Sequence, residues 1–98
     1  MGNRKALQLC SQIERELNGI LADSADETLR SLMVIGVRPA PSSMRVLVQV
    51  TPYPSAGKLS FEEIYASLES SQGRIRTEIA SVIHRKRVPE ILYQVVLA

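Results

Sequence analysis

The chain has 98 residues, of which 45% are hydrophobic and 22% are charged, so it can bury one modest core and is not intrinsically disordered. Its one cysteine, Cys10, excludes an internal disulfide and a cysteine-rich zinc site, and no segment has the pattern of a secretory signal or a membrane span. We therefore expect one domain of residues 4–97 after a flexible N-terminus of residues 1–3, in a cytoplasmic protein without metal or cofactor.

The first half of the chain predicts one helix followed by two strands. Apolar residues recur at three- and four-residue spacing between positions 4 and 22, which predicts an amphipathic helix, and the polar residues 23–28 predict a connection. Residues 31–38 and 44–51 are rich in Val and Ile, and residues 39–43 between them predict the turn of an antiparallel hairpin. The apolar positions of the helix are Ala6, Leu9, Cys10, Ile13, Leu17, Ile20 and Leu21.

The second half predicts two helices and a final strand. Ser60 and Glu63 have the spacing of a capping box, which predicts the start of a helix. Gly73 costs about 1 kcal/mol relative to Ala inside a helix, so a kink or a break into a second helix, residues 74–85, is expected there, although a C-cap glycine is an alternative. Pro89 ends this region, and residues 90–97 alternate as a strand does. The second helix should bury Ile75, Ile79, Val82 and Ile83.

The predicted order of elements is therefore αββααβ. A hairpin followed by a two-helix crossover to a last strand predicts an α+β two-layer sandwich. Its helices should pack on one face of a mixed three-stranded sheet.

Positive charge is concentrated in one segment of the chain. Between residues 74 and 87 there are five cations and one anion, Glu78, whereas the rest of the chain is slightly acidic. Clustering of this kind indicates a face that meets a polyanion. The last three cations would also complement the negative end of a helix dipole, and both roles are compatible. The five cations are Arg74, Arg76, Arg85, Lys86 and Arg87.

Catalytic chemistry is not indicated. His84 has no partner at metal-ligand or catalytic spacing, and Cys10 lies on the apolar side of the first helix, where a core residue is expected. No group of aromatic residues on neighbouring strands suggests base stacking, so recognition should depend on phosphate contacts and RNA shape. We expect a binding protein and not an enzyme.

Three blocks of the sequence resemble one family. The first contains Arg4, Gln12-Ile13 and Arg15-Glu16-Leu17, and the second is Met44-Arg45-Val46-Leu47-Val48. The third contains Gly73, Ile75-Arg76, Ile79-Ala80 and the run from Pro89 to Tyr93. These blocks resemble the ribosome-binding factor A family of bacterial assembly factors, and the order of elements is similar to the type II K-homology (KH) fold.

The resemblance implies a monomeric factor that binds the immature small ribosomal subunit and its 16S-type rRNA during late maturation. The family replaces the usual Gly-x-x-Gly loop by an Ala-x-Gly helical kink, and Ser71-Gln72-Gly73 stands at that place. The Ser71 hydroxyl could also cap the helix that follows. An alternative from another class is a protein-interaction module that takes a partner peptide at a sheet edge. The expected RNA-binding residues are Arg74, Arg76, Arg85, Lys86, Arg87, Gly73, Ser71 and Arg45.

Overall fold

A computed structural model describes residues 3–40, 45–83 and 88–97. The predicted order αββααβ is confirmed, with one short helix and one 3-10 turn in addition. Residues 1–2 of the expected N-terminus, residues 41–43 of the expected turn, and His84, Arg85, Lys86 and Arg87 lie outside the described ranges. The elements are α1 (Asn3–Ala22), α2 (Glu27–Arg30), β1 (Leu32–Pro39), β2 (Arg45–Pro52), a 3-10 turn (Pro54–Ala56), α3 (Phe61–Ser70), α4 (Gln72–Val82) and β3 (Glu90–Val95).

The sheet is mixed, as predicted, with β2 in its centre. β1 runs antiparallel to β2, and β3 runs parallel to it. Val46, Val48 and Val50 on one face of β2 are buried, because the helices cover that face. β3 alternates as expected, since Ile91 and Val95 are buried whereas its Leu92 is exposed. The opposite face of the sheet is open and carries polar pairs, such as the hydrogen bond from Gln49 Nε2 to Gln94 Oε1 at 2.9 Å.

The core forms where α1 and α4 pack over the sheet. The spacing of apolar residues in α1 predicts its buried side correctly. Leu9 and Ile20 are partly buried at the edge of that side. The side chain of Ala6 is not among those that the structure describes. One polar side chain connects α1 to the sheet: Asn18 Oδ1 accepts a hydrogen bond from the Val34 backbone N–H at 3.0 Å, next to the bulge between Val34 and Gly36. The buried α1 positions are Cys10, Ile13, Leu17 and Leu21.

The helix α2 corrects the prediction that residues 23–28 are only a connection. Asp26 caps this helix, because its Oδ1 accepts hydrogen bonds from the backbone N–H groups of Thr28 at 2.8 Å and Leu29 at 3.4 Å. Leu29 is buried in the core. Arg30 Nη1 donates to the Ser24 carbonyl at 2.8 Å and closes the turn. A capped single turn with one buried residue is too short for its apolar spacing to show in the sequence.

The break between α3 and α4 lies at Ser71, two residues before Gly73. The capping box that starts α3 is confirmed, with Glu63 N–H donating to Ser60 Oγ at 3.1 Å and Ser60 N–H to Glu63 Oε2 at 3.3 Å. Ser71, with φ −100° and ψ 0°, separates the two helices, and Gly73 is the second residue of α4. Gly73 is therefore not a C-cap residue.

The predicted buried side of α4 is correct for Ile75, Ile79 and Ile83 but wrong for Val82, which is 38% exposed. Val82 is also the last residue of α4, which was expected to continue to about residue 85. Ile83 follows in extended backbone and is buried, as predicted.

Candidate nucleic-acid interface

The two expected RNA-binding arginines of α4 lie on opposite sides of that helix. A helix turns about 100° per residue, so Arg74 and Arg76 are about 160° apart around its axis. Arg74 Nε lies 3.6 Å from Glu78 Oε1 on the same helix. Arg76 Nη2 donates a hydrogen bond to the Val88 carbonyl at 3.2 Å. Both side chains are exposed, but each has a partner within the protein.

Arg45, the expected site residue outside this segment, also has a partner. It opens β2 opposite Glu90 of β3, and its Nε lies 3.3 Å from Glu90 Oε2. Because Val88 and Glu90 are two residues apart, the structure anchors Arg76 and Arg45 at the same end of β3. Arg74 has no contact with this end of the strand among the described residues.

Ser71 and Gly73 form an open junction between α3 and α4. Gly73 is exposed, and a Cβ added there would meet nothing within 4 Å. The Ser71 hydroxyl makes no capping hydrogen bond to α4, so that part of the sequence interpretation is wrong. The junction therefore presents backbone and a small side chain to solvent, where a partner could approach closely.

Sequence reasoning missed a groove between α3 and the outer edge of β3. The groove has a volume of about 210 Å³, with apolar and polar groups on its walls. Nothing in the sequence could reveal it, because α3 and β3 are far apart in the chain and meet only in the folded protein. It is lined by Tyr65, Leu68, Glu69, Gln72, Ile91, Leu92 and Tyr93.

The wall of the groove on the β3 side carries backbone hydrogen-bonding groups. Val96 N–H donates to the Val50 carbonyl of β2 at 2.8 Å, so in a parallel ladder the N–H groups of Ile91, Tyr93 and Val95 point to the free edge. Val95 N–H is satisfied there by Tyr65 Oη at 3.1 Å. The N–H groups of Ile91 and Tyr93 face the groove, where an extended ligand could accept hydrogen bonds from them.

Tyr93 places a buried hydroxyl beside the same groove. Its Oη has no hydrogen-bond partner among the described residues. Burial of the ring raises the pKa of Tyr93 to about 12, because the phenolate would lose its hydration. This hydroxyl therefore stays protonated at neutral pH and is a spare donor close to the groove.

Two aromatic side chains are stacked on the outer side of α3. The rings of Phe61 and Tyr65, one helical turn apart, have centroids 6.4 Å apart and planes inclined by 20°. Phe61 is 49% exposed, and Tyr65 also reaches the groove. Aromatic residues for base stacking were expected on neighbouring strands, whereas the four-residue spacing of Phe61 and Tyr65 indicates two side chains on one face of a helix.

Metal-ligand groups and the cysteine thiol are two features with chemical potential in the described part of the chain. Within residues 3–40, 45–83 and 88–97, no group of three His, Cys, Asp or Glu side chains could hold a metal ion. Cys10 is buried in the core as expected, and burial raises the pKa of its thiol, which disfavours the reactive thiolate. None of the helices described here is long and apolar enough to span a membrane.

Comparisons with known proteins relate this geometry to a known fold. No protein-family model matches the chain, and no curated protein matches it. The crystal structure of ribosome-binding factor A from Thermus thermophilus is similar, with a TM-score of 0.78 at 20% identity over 92% of this chain and 93% of that one. A homology model of the same Thermus thermophilus factor, fitted into the cryo-EM map of a 30S–RbfA complex, gives a TM-score of 0.67 at 20% identity over 86% and 87% of the two chains. The chain therefore has the α+β fold of ribosome-binding factor A.

Proposed function

We propose that this protein is a non-enzymatic assembly factor that binds the small ribosomal subunit and contacts its 16S-type rRNA during late maturation. The observation that carries the proposal is the likeness to ribosome-binding factor A over nearly the whole length of both chains. A relative of the same fold was fitted into the map of a 30S complex. The three blocks of similar sequence point to the same family independently of the coordinates.

The proposed RNA contacts combine the open helix junction with cations of α4, of β2 and of positions 85–87. Ser71 and Gly73 would allow close approach of an RNA backbone, and Arg74, Arg76 and Arg45 would contact phosphates, together with the cations at positions 85–87. Arg45 and Arg74 are each paired with a partly exposed carboxylate, and exposed ion pairs contribute only about 0–1 kcal/mol. Arg76 donates one exposed hydrogen bond to the Val88 carbonyl. Phosphate can therefore replace those partners at little cost.

The factor would act by binding one conformation of the immature subunit better than another. Its effect on maturation is then limited by the difference between those two affinities. The modest net charge of +2 suits a protein that must also leave, since each neutralised phosphate adds affinity. We place it in the cytoplasm as a monomeric KH-type protein that supports rRNA processing without catalysing it.

Co-sedimentation with purified subunits tests this function. The protein should pellet with small subunits, more strongly with immature than with mature ones, and should remain in the supernatant with large subunits. Immature particles from cells arrested in assembly and mature particles from growing cells should be compared at equal concentration. Equal sedimentation with large and small subunits, or none with either, would contradict the proposal.

The second candidate function is peptide binding at the edge of β3. The free N–H groups of Ile91 and Tyr93 beside an apolar groove favour it, because an added strand needs such unpaired groups. The salt dependence of binding separates the two functions. RNA contacts weaken steeply as salt rises, whereas an apolar peptide groove should respond little.

A further inference from the structure

The outward face of α1 is a continuous polar surface that the proposed RNA contacts do not use. Arg4, Gln8, Ser11, Gln12 and Arg15 follow one another at helical spacing, and all five are exposed. They lie on the side of α1 opposite its core residues, and together with Leu7 they line one shallow depression of the surface. We call these five residues the α1 outer face.

No acidic side chain interrupts the α1 outer face. Glu14 and Glu16 are on its flanks, about a quarter turn or more from the centre of the face. Arg4 and Arg15 form no ion pair with any residue in the described ranges, in contrast to Arg45 and Arg74. These two cations are therefore available to an external anion without loss of an internal partner.

The cations at the start of α1 do not stabilise the helix itself. Arg4 and its neighbour Lys5 stand in the first turn, which has no acidic residue. The positive end of the helix dipole lies there, so cations at this place destabilise the helix. An anionic partner would offset both the dipole and the side-chain charges.

The spacing along the face fits one form of nucleic acid. Arg15 is eleven positions after Arg4, which corresponds to about 17 Å along the helix axis. Between them stand two amides and a hydroxyl, which both donate and accept hydrogen bonds. A duplex of A-form RNA has a wide, shallow minor groove with 2′-hydroxyl groups inside and phosphates along both borders. Amides in the middle and arginines at the ends match that pattern.

We propose that the α1 outer face binds the minor groove of double-stranded RNA, with Arg4 and Arg15 on phosphates and Gln8, Ser11 and Gln12 on 2′-hydroxyl groups. This inference rests on the proposed function, because it adds a second RNA surface to the same factor. The rRNA partner would then be held at two places, at a duplex by α1 and at the α3–α4 junction by the other contacts.

The test uses an RNA hairpin with a stem of about 16 base pairs and a DNA hairpin of the same sequence. Arg4→Gln with Arg15→Gln should reduce the slope of log affinity against log salt by roughly one to two units for the RNA hairpin. Gln8→Ala with Gln12→Ala should leave that slope unchanged and should abolish the preference for RNA over DNA. Circular dichroism should show an unchanged helix content in both variants.

Arg38→Gln with Lys58→Gln is the matched control, because it removes the same charge from two exposed side chains elsewhere. This control should keep the parent slope and the parent preference for RNA. The inference is overturned if Arg4→Gln with Arg15→Gln has the same salt slope as the control, or if Gln8→Ala with Gln12→Ala keeps its preference for RNA over DNA. Sedimentation of the same variants with small subunits is measured in parallel. If the variants bind both the subunits and the RNA hairpin like the parent protein, the proposed α1 contact is wrong while the proposed function stands.

Discussion

At the scale of single residues, two glycines differ in backbone conformation while their surroundings are equally open. A Cβ at Gly57 or at Gly73 would meet nothing within 4 Å, but Gly57 has φ 79° and Gly73 lies within α4. Gly73→Ala should raise the free energy of unfolding by about 0.4–1 kcal/mol, because alanine restricts the unfolded chain and suits the helix. Gly57→Ala should lower it by about 1–2 kcal/mol. Urea denaturation of both variants measures the two changes, and equal signs would contradict the assignment of the helix break to Ser71.

Tyr93 offers a second test at this scale. Its pKa in the folded protein is raised to about 12, whereas an unfolded tyrosine titrates near about 10. Between these values the unfolded chain releases the proton first, so the free energy of unfolding should fall as the pH rises from about 10 to about 12. Below pH 10 this contribution is fully present.

The comparison of Tyr93→Phe with Tyr53→Phe isolates that effect. Tyr93→Phe should flatten the fall in stability above pH 10, while Tyr53→Phe, which changes an exposed ring, should retain it. Removal of the unpaired buried hydroxyl should also leave the protein at least as stable as the parent at neutral pH, because that group has lost its hydration without gaining a partner. Urea denaturation at a series of pH values decides between these outcomes, and parallel curves for the two variants would show that Tyr93 titrates normally.

At the scale of elements, α2 depends on its cap. Asp26→Ala should lower the free energy of unfolding by about 0.5–2 kcal/mol, because the N–H groups of Thr28 and Leu29 lose their acceptor and Leu29 loses its fixed place in the core. Asp23→Ala is the matched control, since it removes an exposed carboxylate a few residues earlier. Thermal unfolding followed by circular dichroism measures both, and an equal effect of the two changes would mean that the cap contributes nothing.

The sequence predicts the elements whose signals are local. Three such signals arise from residues close together in the chain, and all three are found in the structure. They are the apolar side of α1, the Ser60–Glu63 capping box and the alternation of buried and exposed residues in β3. The four-residue helix α2 and the early end of α4 at Val82 depend on which side chains reach the core, so periodicity alone does not give them. Val82 is an example, because it was expected to be buried but is exposed at the last position of α4, next to the buried Ile83.

The candidate site is less predictable than the helices and strands, because it depends on contacts between residues that are far apart in the chain. Gly73 and the cations Arg45, Arg74 and Arg76 are visible in the sequence. The partners of these three cations, which are Glu90, Glu78 and the Val88 carbonyl, follow from strand register and helix phase. The groove beside β3 requires Tyr65 and Tyr93 to meet, which only the tertiary structure determines. Composition and charge therefore indicate the class of partner, while the surface that meets it follows from packing.

At the scale of the whole molecule, the proposed function raises the question of which cations would contact the small subunit. If Arg74 and Arg76 each contact a phosphate of single-stranded rRNA, Arg74→Gln with Arg76→Gln should reduce the salt slope of small-subunit binding by about 1.4, or roughly 0.7 for each contact. Stability should hardly change, because the exposed Arg74–Glu78 pair contributes at most about 1 kcal/mol. Arg38→Gln with Lys58→Gln removes the same charge elsewhere and should leave the slope at the parent value, which separates contact from the general attraction of a polyanion. Sedimentation with small subunits at a series of salt concentrations measures both slopes. Identical slopes for the two double variants would place the rRNA contacts away from α4 and leave the α1 outer face as the principal cationic surface of the described chain.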